Sequence, residues 1–242
     1  MIVNPIPEGW EVIYQQAHGV LAAQLAFHLK PELHCRHWAE TLIAIANHDN
    51  RQRTWRGKDG LTPAGAPADF TLQPNTLEQA RALMHDVRFQ SRWVALLTSM
   101  HMSYLYESRR GEGKATDAFL DEQLALQQGC RKSLRLSQKE AQQAYAVMQW
   151  CDRFSLILCR NELPADERRL EITTGPDGKP YFLQQQQQGG ITVTPWPFAA
   201  PRVEVQVECR VLEQLQFGSD KELAQALHQV EVRYKKWELQ RS

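Results

Sequence analysis

IYQQAHGVLAAQLAFHLK (13–30) and ELHCRHWAETLIAIANHD (32–49) are the two stretches on which the fold prediction rests. Both place apolar or small residues three and four positions apart, which is the spacing of one helix face. Pro31 separates them, because proline cannot continue a helix and disfavours helical backbone at the residue before it. The chain is therefore predicted to begin with two consecutive helices.

Further helices are predicted beyond a long irregular stretch. Residues 50–75 contain several glycines and prolines and few periodic apolar residues, which is typical of a functional or mobile loop. Helical spacing returns in residues 76–106, in two pieces, and in residues 118–135. Ser137 followed by Glu140 is a capping-box pattern, and it predicts the start of another helix.

The pattern changes in the last third of the chain. RRLEITTGPDGKPYFL (168–183) alternates around a Gly-Pro-Asp-Gly turn, which predicts a β-hairpin. ITVTPWPF (191–198) and RVEVQVECRVLEQL (202–215) continue the strand pattern, and VEVQVEC alternates strictly.

The C-terminal end is interpreted as a last helix, capped by Ser219 or Asp220 and reaching Trp237. The predicted fold class is accordingly mainly α, an all-alpha architecture with a small β-rich addition. Residues 1–162 form the predicted bundle of five or six helices. Residues 163–242 form the β-rich addition with its C-terminal helix, packed on the same domain.

The composition of the chain indicates which classes of binding partner are expected. Lys+Arg and Asp+Glu both number 28, so the formal net charge is zero and favours neither nucleic acid nor an anionic membrane as partner. The N-terminus lacks a basic region followed by an apolar core, and no stretch approaches the roughly 18 to 20 apolar residues of a membrane helix. The five scattered cysteines include no CxxC pair and are interpreted as reduced thiols. The expectation is a cytoplasmic protein that binds a small molecule.

Four ionisable residues fall on or beside predicted apolar helix faces. His18 lies on the stripe of the first helix, Asp49 continues the stripe of the second with His48 beside it, and Asp152 lies in the middle of the stripe of the helix after Ser137. A carboxylate on such a face is costly unless it is paired or binds a metal. Imidazole and carboxylate together suit Mn, Zn, Fe or Mg. These four residues are therefore predicted to bind one divalent metal ion.

The order His18, then His48-Asp49, then Asp152 resembles the HD-domain superfamily over roughly residues 10–160. The segments QQAHGVLAAQLA, IAIANHD and MQWCDRFSLILC, and TVTPWPF further on, are similar to one bacterial branch of it. The resemblance implies an HD-domain-like helical bundle. It also implies hydrolysis of phosphate esters or anhydrides by a metal-bound water, with Asp49 as a catalytic residue that binds the metal and accepts the proton of the water.

Two other histidines have separate interpretations. His101 continues an apolar line in its helix, and it is predicted to be a catalytic residue that contacts substrate or a bound water; a core histidine without such a role is the alternative. His85-Asp86 is a second His-Asp pair, but it falls beside its apolar stripe and is predicted to be solvated. For the main cluster the alternative is a metal-free network, in which Asp152 pairs with His18 or an arginine.

Cationic residues near the predicted site suggest phosphate binding. Arg51, Arg53 and Lys58 follow the His-Asp pair, and Arg51 and Arg53 are the predicted substrate-binding residues; a solvated basic loop is the alternative. Arg153 adjoins Asp152 but is expected to face differently from it. The leading prediction is a metal-dependent phosphohydrolase for a small phosphorylated substrate. The alternatives are a non-catalytic protein that binds a ligand or partner, and an iron-dependent oxygenase.

Overall fold

The computed structural model describes residues 1–51, 55, 57–73, 76–187 and 190–241. These residues form seven α-helices and one seven-stranded sheet. The helices are α1 (Gln15–Phe27), α2 (Trp38–Asn47), α3 (Leu77–Val87), α4 (Arg92–Tyr106), α5 (Lys114–Leu134), α6 (Gln138–Cys159) and α7 (Asp220–Gln229). The strands are β1 (Ile2–Ile6), β2 (Gly9–Ile13), β3 (Arg169–Thr174), β4 (Pro180–Gln185), β5 (Ile191–Thr194), β6 (Arg202–Leu212) and β7 (Val232–Gln240).

The sheet draws its strands from both ends of the chain. Its order is β1-β2-β6-β7-β5-β4-β3, and every neighbouring pair is antiparallel except β5 and β7. The prediction of a mainly α, all-alpha class is therefore wrong, because the protein is a mixed α/β fold with a curled seven-stranded sheet. The division at residue 162 stays a prediction, and β2 from the first segment pairs with β6 from the second.

The C-terminal segment corrects a second expectation. Ser219 caps α7 by accepting a hydrogen bond from the backbone N–H of Glu222, as predicted, but α7 ends at Gln229 and does not reach Trp237. Trp237 lies in β7, where its backbone is paired with Val205. Strand β7 pairs with β6 over its whole length, from Val232 opposite Arg210 to Gln240 opposite Arg202, and this pairing outweighs its helical propensity.

Most of the other predicted elements are confirmed. The segment 76–106 forms two helices, α3 and α4, and residues 168–183 contain the antiparallel hairpin of β3 and β4. Ser137 and Glu140 form a capping box at the start of α6. Helix α2 begins later than predicted, at Trp38, because His37 has a left-handed backbone with φ of 54°.

Helix α1 occupies the centre of the fold, where it packs against α2, α6 and β6. Its apolar face, which includes Leu21 and Leu25, is fully buried. Gly19 brings α1 unusually close to α2, since a Cβ atom at this position would lie 2.6 Å from the carbonyl oxygen of Ala46. This close approach holds His18, the neighbour of Gly19, next to the end of α2.

Among the described residues, no helix is both long and apolar enough to cross a bilayer.

Candidate metal centre

Four helices bring five ionisable side chains to one place. His18 comes from α1, His48 and Asp49 from the C-terminal end of α2, His101 from α4 and Asp152 from α6. The three imidazoles are buried, with exposed fractions of 0%, 0% and 1%, and the carboxylates of Asp49 and Asp152 retain 15% and 14%. The residues predicted as metal ligands or catalytic groups therefore lie together, with the carboxylates on the accessible side.

The predicted metal ligands differ in their distances from one another. The Nε2 atoms of His18 and His48 are 3.3 Å apart, and Oδ1 of Asp152 lies 3.4 Å from the first and 3.0 Å from the second. Oδ2 of Asp49 lies further away, at 3.7 Å from His18 Nε2 and 3.9 Å from His48 Nε2. His18, His48 and Asp152 thus form the compact part of the cluster, and Asp49 completes it from one side.

The backbone fixes which nitrogen of each imidazole faces the cluster. Nδ1 of His48 lies 2.6 Å from the carbonyl oxygen of Ile45, and Nδ1 of His18 makes a short contact with the carbonyl oxygen of Gln15. A carbonyl oxygen only accepts hydrogen bonds, so both Nδ1 atoms carry the proton and donate it. In the neutral imidazoles, each Nε2 therefore presents a lone pair to the cluster.

Charge interactions within the cluster are strong. Burial alone would lower the pKa of His48, but Asp152 and Asp49 outweigh it and raise this pKa to about 9. Burial alone would raise the pKa values of both aspartates, but the positive charge of His48 holds them below their usual range, with hydrogen bonds from His101 to Asp49 and from His48 to Asp152 contributing. Both carboxylates are ionised at neutral pH, so the cluster favours a cation, which is either the proton on His48 Nε2 or a metal ion in its place.

Two residues that the sequence reasoning missed support this arrangement. The amide Nε2 of Gln15 donates a hydrogen bond of 3.0 Å to Oδ2 of Asp49, and the other amide atom, Oε1, is buried without a partner among the described residues. The hydroxyl of Tyr145 lies 3.3 Å from Nδ1 of His101, whose Nε2 is 3.6 Å from Oδ1 of Asp49. The signal for Gln15 was its position three residues before His18, which places both side chains on one helix face.

A cavity of about 390 Å³ adjoins the cluster. Asp49, His101 and Asp152 line it, so both carboxylates and the third imidazole face the same space. A small molecule in this cavity would lie in contact with whatever ion the cluster binds.

The predicted cationic residues are placed differently. Arg51 lies outside the lining of this cavity, and its Nε donates to Oδ2 of Asp86 at 2.5 Å. Arg53 falls outside the described residues. Arg153 does line the cavity, although helical spacing predicted a different direction from that of Asp152. The second pair is solvated as predicted, with side-chain exposures of 67% for His85 and 42% for Asp86.

A family model described as "Protein of unknown function (DUF3891)" matches residues 1–214, and the chain belongs to this family. No curated protein and no solved structure matches this chain. The resemblance to the HD-domain superfamily is wrong, because the matching family is a different one and the fold contains a curled seven-stranded sheet. The order of the histidines and aspartates reflects four helix faces meeting at one point, which fits more than one fold.

Proposed function

We propose that this protein binds one divalent metal ion through His18, His48, Asp49 and Asp152 and hydrolyses a phosphate ester of a small molecule with a water bound to that metal. The observation that carries the proposal is the orientation of the two buried imidazoles. Each donates its Nδ1 proton to a carbonyl oxygen of its own helix, which leaves both Nε2 atoms beside the carboxylate of Asp152.

The distances between donor atoms support an ion at this point. Metal ligands at about 2.0–2.2 Å from an ion and at angles of about 90–109° are separated by roughly 2.8–3.6 Å. The separations among His18, His48 and Asp152 are 3.0, 3.3 and 3.4 Å. Asp49 would need to move by a few tenths of an ångström, or to act through the bound water. Mixed imidazole and carboxylate donors suit Mn, Zn, Fe or Mg.

The surroundings support hydrolysis. A metal ion lowers the pKa of a bound water, so that hydroxide becomes available near neutral pH. Asp49 lies between the imidazole pair and His101 and faces the cavity, so it is placed to accept a proton from that water. Arg153 lines the same cavity and supplies a cation for a phosphate oxygen. Direct roles of Arg51 and Arg53 in substrate binding remain predictions from the sequence.

The test uses the second His-Asp pair as an internal control. Wild-type protein, His48→Gln and His85→Gln are purified without chelators, dialysed and analysed for metals. Wild type and His85→Gln are expected to contain about one equivalent per chain, and His48→Gln less than about a tenth. Circular dichroism establishes that His48→Gln is folded, and Asp49→Asn, which changes a more exposed ligand, provides a second variant.

Each outcome separates the alternatives. Metal-loaded wild type that releases phosphate or alcohol from phosphate esters supports the whole proposal. One bound metal without any ester hydrolysis would leave a non-catalytic metal-binding protein. No bound metal after incubation with Mn, Zn and Fe would mean that the protonated His48 alone holds the two carboxylates together, and the proposal would be rejected.

A further inference from the structure

The cavity beside the cluster has a volume of about 390 Å³, within the usual range of small-molecule sites. Its described lining contains both apolar residues and polar ones, and the polar ones are Asp49, His101, Gln149, Asp152, Arg153 and Thr173. The walls come from a 3₁₀ turn, α4, α6 and β3, which are distant in sequence. The apolar lining residues are Phe70, Tyr104, Leu105, Leu156 and Ile172.

Strand β3 contributes two successive residues to this lining because its pairing with β4 is irregular. The register shifts between Glu171 and Thr173, which leaves Ile172 without a partner opposite it. Adjacent residues of a regular strand point to opposite faces, but a bulge redirects one of them. Ile172, 4% exposed, and Thr173 therefore both line the cavity.

Tyr104 is the aromatic residue that remains open to a ligand. It is 58% exposed although it lies in α4, one turn after His101. The two rings are 6.3 Å apart and inclined by 30°. A flat group attached to a phosphate at the cluster could therefore stack on Tyr104 and contact Phe70 and Leu105.

The charges of the lining limit how much phosphate the cavity can hold. Arg153 is the one cationic side chain among the described lining residues. Its Nη1 donates to Glu162 at 2.9 Å, and Glu162 also pairs with Arg160 at 3.2 Å, so these three side chains together carry one net positive charge. A divalent ion would be neutralised by Asp49 and Asp152. A triphosphate, with about four negative charges, would be poorly balanced here.

We infer that the substrate carries a single phosphate, as a monoester or diester, joined to an aromatic or similarly flat apolar group that stacks on Tyr104. This inference rests on the proposed function, because it assumes that the metal-bound water attacks that phosphate. In the reaction, the oxygen of the water bonds to phosphorus, the P–O bond to the organic group breaks, and the released alkoxide oxygen takes up a proton.

The experiment compares two monoesters whose alkoxide leaving groups have similar reactivity, and it adds ATP, an intrinsically more reactive anhydride, as the polyphosphate. Metal-loaded wild type is assayed with 2-phenylethyl phosphate, ethyl phosphate and ATP, and kcat/KM is measured for each. The phenyl group is expected to raise kcat/KM about tenfold over ethyl phosphate, because it buries apolar surface against Tyr104 and its neighbours. ATP is expected to be the poorest of the three substrates.

Variants of Tyr104 test whether the preference for the phenyl substrate arises from this side chain. Tyr104→Ala is expected to reduce the advantage of the phenyl substrate to about threefold or less, and Tyr104→Phe is expected to keep it. Metal content should stay unchanged in both. Tyr234→Ala is the matched control, because Tyr234 is 59% exposed on β7 and does not line this cavity.

The results separate this inference from the proposed function. Equal rates for phenylethyl and ethyl phosphate, or a preference for ATP, would overturn the inference while ester hydrolysis itself still supported the proposed function. An unchanged preference in Tyr104→Ala would also overturn it. No hydrolysis of any of the three substrates by protein that contains the metal would overturn both.

Discussion

Gly19→Ala is the substitution that most directly tests how the fold builds the site. Gly19 lies inside α1, where alanine would ordinarily stabilise a helix by about 1 kcal/mol relative to glycine. Here the added Cβ would lie 2.6 Å from the carbonyl oxygen of Ala46 and 3.3 Å from its carbonyl carbon. The nearest atom belongs to the backbone of α2, so it cannot move aside as a flexible side chain would.

The two effects have opposite signs, and the structure decides which is larger. Relieving the contact requires α1 and α2 to separate by roughly 0.6 Å or more, and such overpacking in a core costs about 1–3 kcal/mol. After subtraction of the propensity gain, the variant should be less stable by about 1 kcal/mol, or up to 2 kcal/mol. For a domain of this size that corresponds to a fall in Tm of roughly 2–8 °C. The same separation pulls His18 away from His48, so metal affinity should fall as well.

The assay is urea denaturation and metal titration of Gly19→Ala beside Gly129→Ala. Gly129 lies in α5, and a Cβ atom there would meet no atom of the described residues within 4 Å, so this control reports helix propensity alone. The control should be more stable than wild type by about 0.5–1 kcal/mol, with unchanged metal affinity. A Gly19→Ala protein that matched the control in both measurements would refute the argument that close packing of α1 on α2 forms the site.

Three further substitutions test single contacts. Gln15→Ala removes the amide that donates to Asp49, and it should weaken metal binding about tenfold in competition with a chelator while the circular dichroism spectrum is kept; equal affinity would contradict a positioning role. Thr41→Val removes the acceptor 2.8 Å from the buried Trp93 indole N–H and should cost about 1–3 kcal/mol in urea denaturation, whereas a loss below about 0.5 kcal/mol would show that the indole finds another partner. Ser137→Ala breaks the capping box of α6 and should lower the free energy of unfolding by about 1 kcal/mol; no change would argue against this cap.

The cluster could be predicted from the sequence because the helical periodicity around each of its residues determines where that residue points. His18 and Asp152 were found as polar residues on apolar helix faces, and both lie within the cluster in the structure. Helical spacing of three and four residues determines which side chains share a face, whatever the helix packs against. The same reasoning distinguished the solvated pair His85-Asp86 from His48-Asp49.

The sheet could not be predicted from local periodicity, because its strand pairing joins segments that are distant in the sequence. Strands β1 and β2 are five residues each and include Pro5 and Gly9, which weaken any strand signal. The apolar residues of β7 do not alternate throughout, because Val232 and Tyr234 lie on one face and Trp237 and Leu239 on the other, and the strand follows the helical pattern of α7 directly. The sequence therefore predicts one continuous helix there. A helical bundle could therefore be predicted for the part of the chain that binds the proposed ion, and the fold class was wrong for the rest.

The same distinction explains why the residues of the cluster could be predicted from the sequence and the lining of the cavity could not. Ile172 and Thr173 reach the cavity only because β3 packs on α6 and its register is irregular. Proximity in sequence suggested Arg51 as the phosphate-binding cation, but Arg51 pairs with Asp86. Arg153, four helices further along the chain, is the arginine that lines the cavity. Helix periodicity can place ligands around an ion, but the shape and charge of the space beside it depend on tertiary packing, and substrate specificity must be argued from the folded structure.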